Sequence, residues 1–150
     1  MLAYLLAADD LDAVGPALAL FEAMGYTYIS PADCDKQRGS RYHVLLRDIL
    51  RGQLRRLNRY AYAGAENEFS AANIERAMED LDEPLTDGLV RTSEKIYDAL
   101  LLGKSYPETV GDGKMLSFNL RYIDWDNPQN NVFHVTEEFV VDSRDRQHNA

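Results

Sequence analysis

The sequence has only one cysteine and no long hydrophobic run, and both features limit the class of protein to which it can belong. Cys34 has no second cysteine to pair with, so a disulfide within the chain is excluded and a reducing cytoplasmic location is expected. The apolar stretch 1–8 is too short to cross a membrane, no basic residue precedes it, and acidic residues follow it at once. We therefore predict a cytoplasmic protein with no membrane segment.

Positive charge is also scarce. The chain has 16 lysines and arginines against 25 acidic residues, which gives a formal net charge of −9. Residues 1–75 hold eight basic against ten acidic side chains, whereas residues 76–150 hold eight against fifteen. A protein with this balance does not bind nucleic acid through its bulk charge. Any contact with DNA would need a local basic strip or a larger assembly.

Short motifs that mark several enzyme classes are missing as well. The sequence contains no His-Glu-x-x-His, Cys-x-x-Cys, phosphate-binding P-loop, Gly-x-Gly-x-x-Gly or Gly-x-Ser-x-Gly. Its three histidines, His43, His134 and His148, lie far apart and lack the spacing of metal ligands. For His134, which falls in a predicted strand, we expect a hydrogen-bonded structural role.

One acidic pair remains as a candidate site. Asp124 and Asp126 flank Trp125 and offer the oxygen ligands that bind a hard cation. Acidic residues next to a sequence such as Asn127-Pro128 more often cap a turn. Both interpretations stay open at this point, and residue chemistry alone identifies no complete active site.

What is present suffices for an ordinary globular fold. A chain of 150 residues, 45% hydrophobic and 10% aromatic, can bury a substantial core. Apolar residues follow helical spacing in the first part and strand-like alternation in the last part. We predict a single domain over residues 1–150 of the α+β class, with N-terminal helices followed by an antiparallel β-hairpin and strand region. Helices are predicted at 16–24, 41–58, 70–81 and 87–102, loops at 31–36 and 61–68, a hairpin at 108–123 and strands at 26–29 and 132–141.

Arginines recur every four residues along the most amphipathic predicted helix. On a helix each step of four drifts by only about 40°, so Arg47, Arg51, Arg55 and Arg59 would form one slanting ridge. Such a ridge could follow a DNA phosphate backbone. The alternative is a solvated face whose arginines pair with neighbouring acids, and the negative net charge favours this second interpretation.

A longer pattern resembles a known family. The segment 122–131 (YIDWDNPQNN), followed by Phe-His-Val at 133–135 and Phe-Val-Val at 139–141, is similar to a strand–turn element in the N-terminal domain of the restriction subunit of type I restriction–modification enzymes. Residues 20–28, 44–58 and 84–98 resemble helices of that family in the same order.

The resemblance implies a PD-(D/E)xK nuclease, of which this chain would be the front half of a restriction-endonuclease-like α/β core. It implies ATP-dependent DNA translocation and cleavage for the full-length protein, with Mg²⁺ and ATP as cofactors. The implied partners are DNA and the modification and specificity subunits of the restriction complex. No cofactor is expected to bind to residues 1–150 by themselves.

The resemblance also implies where the catalytic residues lie. The family's first metal-binding aspartate is expected just beyond Ala150, on a strand that pairs with the predicted strand 132–141, so we expect no catalysis from residues 1–150. The family's first-helix glutamate corresponds to Val14, and Asp10 or Asp12 could replace it. Two alternatives remain: a module that docks on DNA or on other subunits without nuclease activity, and a structural domain of an unrelated acidic protein.

Overall fold

A computed structural model of the chain describes residues 11–82 and 88–142, with side chains described from Val14 onward. The predictions made for Asp10, for the Asp12 side chain and for His148 lie outside the described residues. Helices come first and short sheets follow, which confirms the α+β class. The described elements are α1 (Leu11–Ala23), β1 (Thr27–Tyr28), α2 (Pro31–Arg38), α3 (Arg47–Leu57), β2 (Arg59–Tyr62), β3 (Ala65–Glu68), α4 (Ala71–Leu81), α5 (Leu89–Leu102), β4 (Lys104–Val110), β5 (Lys114–Leu120) and β6 (His134–Val135).

The chain separates into two compact units. The described residues of the first unit are 11–47 and 132–142, and those of the second are 48–82 and 88–131. The helices of the described part are too short or too polar to cross a bilayer.

A short parallel sheet joins the two ends of the first unit. Strand β1 pairs with β6, with Thr27 opposite His134 and Tyr28 opposite Val135. The predicted strand 132–141 is wrong in extent, because only two of its residues join the ladder and Glu138 adopts a φ of 48° that breaks the extended backbone. Among the described residues β6 pairs with β1 alone, so a further partner strand stays a prediction.

The predicted loop at 31–36 is wrong, because these residues form helix α2. The Ser30 Oγ accepts a hydrogen bond from the Asp33 backbone N–H at 3.1 Å, which caps the helix, and Pro31 occupies the first turn, where its missing N–H costs nothing. The helix buries Cys34, and this burial raises the pKa of the Cys34 thiol. A buried thiol with a raised pKa is a poor nucleophile.

The predicted helix 41–58 begins only at Arg47. Upstream of it, the Ser40 carbonyl accepts from the His43 N–H at 3.1 Å and the Ser40 hydroxyl accepts from the Tyr42 N–H at 3.3 Å. These bonds hold a turn in place of the first helical turn. From Arg47 onward α3 is amphipathic, and its second-unit part buries Leu50, Gln53 and Leu54.

The predicted loop at 61–68 is also wrong, because the chain forms the antiparallel hairpin β2–β3. Ala63 and Gly64, with φ values of 51° and 80°, make the two-residue turn that matches the twist of a hairpin. Tyr60 on β2 stacks on Phe118 at 4.2 Å and meets Phe69 edge-on at 5.4 Å between ring centroids. These ring contacts attach the hairpin to the rest of the second unit.

Helix α4 begins where the sequence predicted. The Ser70 Oγ caps it by accepting from the Asn73 N–H at 3.3 Å, and Phe69 and Ile74, placed for a hydrophobic staple, are both buried. The carboxylate of Glu108 on β4 accepts from the Ser70 N–H at 2.8 Å and the Asn73 Nδ2 at 2.8 Å. This buried carboxylate therefore ties the start of α4 to β4.

The predicted hairpin is confirmed as β4–β5 and begins earlier than expected, at Lys104. Gly103 permits this start, because its φ is 77° and a Cβ there would lie 2.5 Å from the Leu120 carbonyl oxygen. The chain can thus leave α5 and pair at once with the end of β5. The buried apolar core of the second unit comprises Leu50, Leu54, Phe69, Ile74, Ala77, Met78, Tyr106, Val110, Leu120 and Tyr122.

Candidate nucleic-acid interface

The four predicted ridge arginines do not share one helix. Helix α3 ends at Leu57, so Arg59 lies on strand β2, where it pairs with Glu68 at 2.8 Å. Arg51 pairs with Asp48 at 2.6 Å and with Glu75. Hydrogen bonding to Glu75 raises the pKa of Arg51. For Arg51 and Arg59, the structure therefore matches the second interpretation of the ridge, in which the arginines pair with neighbouring acids.

The other two ridge arginines differ from this pattern. Arg47 opens α3, is half-buried and has interactions of its own. Arg55 is exposed, and no acidic oxygen of the described residues lies within ion-pair distance of it. In this part of the chain, its charge is not neutralised by a carboxylate.

Arg56, next to Arg55, is exposed and is held by neutral acceptors. Its Nη2 donates to the Gln53 Oε1 at 2.8 Å and to the backbone carbonyl of Asn130. The Gln53 Nε2 donates to the same carbonyl at 3.3 Å. These neutral acceptors fix the position of the guanidinium. No carboxylate of the described residues lies close enough to neutralise its charge.

The buried side chain of Asn58 brings a further arginine to the end of α3. Its Nδ2 donates to the Leu54 carbonyl at 2.9 Å and to the Arg121 carbonyl at 2.8 Å. Its Oδ1 accepts from the Arg121 N–H at 2.7 Å. Asn58 thus ends the helix and binds both backbone polar groups of Arg121, which follows β5.

The turn after Tyr122 is closed by its own side chains. The Asp124 Oδ1 accepts from the Asn127 N–H at 3.1 Å, and the Asp124 Oδ2 accepts from the Asn130 Nδ2 at 2.9 Å. The Asn131 amide bonds both to the N–H and to the carbonyl of Asp124, at 2.9 Å each. Hydrogen bonding to Asn130 lowers the pKa of Asp124. The turn-capping interpretation is confirmed.

A cation site at this acidic pair does not fit the structure. Both carboxylate oxygens of Asp124 already accept hydrogen bonds, and its side chain is only 4% exposed. Among the described residues no group of three His, Cys, Asp or Glu side chains could hold a metal ion. The indole Nε1 of Trp125, between the two acids, donates to the Leu100 carbonyl at 3.0 Å and so attaches the turn to α5.

These elements enclose a polar depression on the second unit. Its lining combines the end of α3, the residue after β5 and the turn that follows, and comprises Arg56, Leu57, Arg121, Asp124, Gln129 and Asn130. The Arg121 Nη1 lies 3.5 Å from the Asp124 Oδ1 and 3.7 Å from the Asp126 Oδ2, at the long end of ion pairing. The spacing of arginines in the sequence does not predict that Arg56 and Arg121 line one depression. The one local sequence signal for it is Asn58, since asparagine often ends a helix and hydrogen-bonds to nearby backbone groups.

His134 does not have the hydrogen-bonded role expected for it at its Nδ1. That nitrogen is buried and has no hydrogen-bond partner in the described part of the chain. Burial lowers the pKa of this histidine, so the neutral ring is favoured in a small apolar pocket that Leu46 and Phe139 also line. The pocket belongs to the first unit, and its lining as described contains no second titratable group.

Comparison with protein families decides the class of protein. The family model described as type I restriction enzyme R protein N terminus matches residues 13–150. The chain belongs to that family. The matched residues of this R protein N terminus include both the Asp124 turn and helix α3. No curated protein and no solved structure matches the chain.

Proposed function

We propose that this R protein N terminus is part of a type I restriction endonuclease and that it meets the DNA backbone through the exposed arginines at the end of α3. The match to the R protein family over residues 13–150 carries this proposal. In the full-length enzyme we expect ATP-dependent translocation and Mg²⁺-dependent cleavage, in complex with DNA and with the modification and specificity subunits.

Local charge supports the contact with DNA. The net charge of −9 repels a polyanion at long range, so binding needs cations that are not neutralised by nearby acids. Within the described residues Arg55 and Arg56 have no carboxylate at ion-pair distance, whereas Arg51 and Arg59 are paired with carboxylates. Of the four predicted ridge arginines, we therefore expect Arg55, in the last turn of α3, to contact DNA together with Arg56. Arg51 and Arg59 would contact a phosphate only if they first released their carboxylate partners.

The chemistry of cleavage is not expected from residues 1–150. The sequence has no Glu-x-Lys, and its one Asp-x-Lys, at Asp112-Gly113-Lys114, lies at the exposed tip of the β4–β5 hairpin. The family's Mg²⁺ finds no set of three acidic or imidazole donors in the described residues. We therefore assign these residues a role in supporting the fold and contacting DNA.

A plasmid assay tests the proposed division of roles. The purified 150-residue chain, incubated with supercoiled plasmid and Mg²⁺, should leave the plasmid intact. Nicking that grows with protein concentration, is abolished by a chelator and is lost in an Asp112→Asn variant would show a metal site within these residues and overturn the proposal.

Charge reversal tests the DNA contact. The Arg55→Glu variant should bind a short duplex about tenfold or more weakly than the wild type at low salt, because one attraction becomes a repulsion close to a phosphate. Arg91→Glu, at an exposed position of α5, changes the net charge equally and is the matched control. Equal losses for the two variants would show that only the net charge matters and would remove α3 from the interface.

A second candidate function is docking on another subunit. Helix α5 exposes several large apolar side chains, among them Leu89, Val90 and Leu102, each 67% to 70% exposed. Exposed apolar patches of this kind mark protein interaction sites. If this face docks on a modification subunit, Leu102→Gln, which changes no charge, should prevent co-elution with that purified subunit while leaving DNA binding unchanged. Co-elution of the variant at the wild-type level would exclude α5 from the contact.

A further inference from the structure

The polar depression on the second unit has the composition of an anion site. Three of its lining side chains, Arg56, Arg121 and Gln129, are exposed hydrogen-bond donors. The fixed contacts of Arg56 use its Nη2, and those of Arg121 use its Nη1. Two guanidinium groups on one depression can each present a fork of N–H donors, which matches the oxygens of a phosphate.

Separate hydrogen bonds that involve backbone groups position the two arginines. Asn58 binds both the N–H and the carbonyl of Arg121, within 2.8 Å each, and so holds the residue after β5 against the end of α3. Arg56 is anchored to the backbone carbonyl of Asn130, another residue that lines the depression. The Arg56 side chain is therefore held before an anion arrives, and such a side chain loses little conformational entropy on binding.

The acidic residue of the lining does not oppose an anion as strongly as its charge suggests. Asp124 is 4% exposed, and its two oxygens accept from the Asn127 N–H and the Asn130 Nδ2. Its carboxylate faces into the turn, whereas the side chains of Arg56 and Arg121 are exposed to solvent. An entering anion could also displace the long contacts of Arg121, since pairs of this length at a surface contribute little.

We infer that this depression binds one phosphate group, held by Arg56 and Arg121 with Gln129 at its edge. This inference rests on the proposed function, because the phosphate source that fits an R protein N terminus is a phosphodiester of the DNA backbone. Arg55, one residue before Arg56 on α3, would then meet a further part of the same backbone.

The first test places a negative charge in the depression without touching its framework. Gln129 is exposed and makes none of the hydrogen bonds that hold the turn. Gln129→Glu should weaken binding of a labelled duplex about tenfold at low salt, as measured by fluorescence anisotropy. Ser93→Glu, on the exposed surface of α5, adds the same charge and should weaken binding much less.

The second test counts phosphate contacts. Each phosphate contact with duplex DNA contributes about 0.9 to the slope of log K against log salt, so Arg121→Gln should reduce that slope by about 1. Arg91→Gln is the control and should leave the slope unchanged. If the wild type binds DNA but both depression variants behave like their controls, the phosphate site is refuted while the proposed function stands.

The third test removes DNA from the question. In a titration with inorganic phosphate, the NMR signals of the Arg56 and Arg121 Nε–H groups should shift while that of Arg91 stays in place. If the wild type does not bind DNA, the DNA contact of the proposed function fails, and this titration alone decides whether a phosphate site exists. Absence of any shift, or equal shifts with a polyglutamate peptide that indicate a carboxylate ligand, would overturn the inference.

Discussion

Replacing Asn58 by alanine removes the side chain that joins the end of α3 to the residue after β5. Three hydrogen bonds of 2.7 to 2.9 Å are lost, two to the backbone of Arg121 and one to the Leu54 carbonyl. At about 1 kcal/mol for each bond, the free energy of unfolding of the second unit should fall by about 3 kcal/mol. A typical domain has a free energy of unfolding of about 5–15 kcal/mol, so this loss would be a large fraction of the total.

The assay is urea unfolding followed by the fluorescence of Trp125. This is the one tryptophan of the chain, and its indole is bonded to α5 within the second unit. With a urea m value of about 1–3 kcal/mol/M, the midpoint for Asn58→Ala should drop by about 1–3 M. Asn67→Ala is the matched control, because Asn67 makes a single local bond of 3.2 Å to the Ala65 carbonyl and should cost less than about 0.5 kcal/mol.

A companion variant separates lost hydrogen bonds from lost volume. Asn58→Asp keeps the oxygen that accepts from the Arg121 N–H, but it turns the donor that faces two carbonyl oxygens into an acceptor. It should therefore destabilise at neutral pH at least as much as alanine does. If Asn58→Ala and Asn67→Ala have the same midpoint, or Asn58→Asp unfolds like the wild type, the assigned role of Asn58 is refuted.

Three further predictions concern buried polar groups. Glu108→Ala removes the acceptor for Ser70 and Asn73 and should lower the free energy of unfolding by about 2–3 kcal/mol, whereas Glu108→Gln keeps an acceptor oxygen and should cost less; urea midpoints that rank the other way would contradict this. Burial raises the pKa of Tyr122 to about 12, so the folded state holds this proton more tightly than the unfolded state. The stability it contributes is intact below pH 10 and is lost as the pH rises towards 12, and Tyr122→Phe should unfold with a weaker pH dependence in that window. For Asp124 the pKa is lowered, so its contribution is present above pH 4 and is lost on acidification; Asp124→Asn should flatten this acid limb in urea midpoints measured between pH 2 and pH 6.

Local signals in the sequence predicted the elements whose ends are capped or periodic. Ser70 predicted the start of α4, and the alternation along 114–120 predicted β5. The same kind of signal existed at Ser30-Pro31, where a cap and a first-turn proline open α2. The sequence nevertheless predicts a loop at 31–36, because α2 has almost no apolar stripe and periodicity gives no helical signal there.

The hairpin β2–β3 could not be predicted from propensity. Its second strand, Ala65–Glu68, contains no β-branched or aromatic residue, and its turn places Ala63 at positive φ. The hairpin is supported by the stacking of Tyr60 on Phe118, which is distant in the sequence. Tertiary contacts of this kind override local preference.

The sequence predicts part of the candidate interface, because arginine spacing is a local signal, whereas contacts between distant residues are not. Four-residue spacing placed Arg55 on an exposed face of α3, but it also included Arg59, which the chain carries into β2 once Asn58 ends the helix. The approach of Arg121 to Arg56 depends on contacts made by Asn58 and Asn130, and no periodicity encodes such contacts.

Arginine modification by phenylglyoxal, read by mass spectrometry with and without duplex DNA, tests most directly whether the last turn of α3 contacts the DNA backbone. DNA should slow the modification of Arg55, Arg56 and Arg121, while Arg91 on α5 should react at an unchanged rate. Protection of Arg91 to the same degree, or no protection of Arg55 at DNA concentrations that saturate the chain, would contradict the interface.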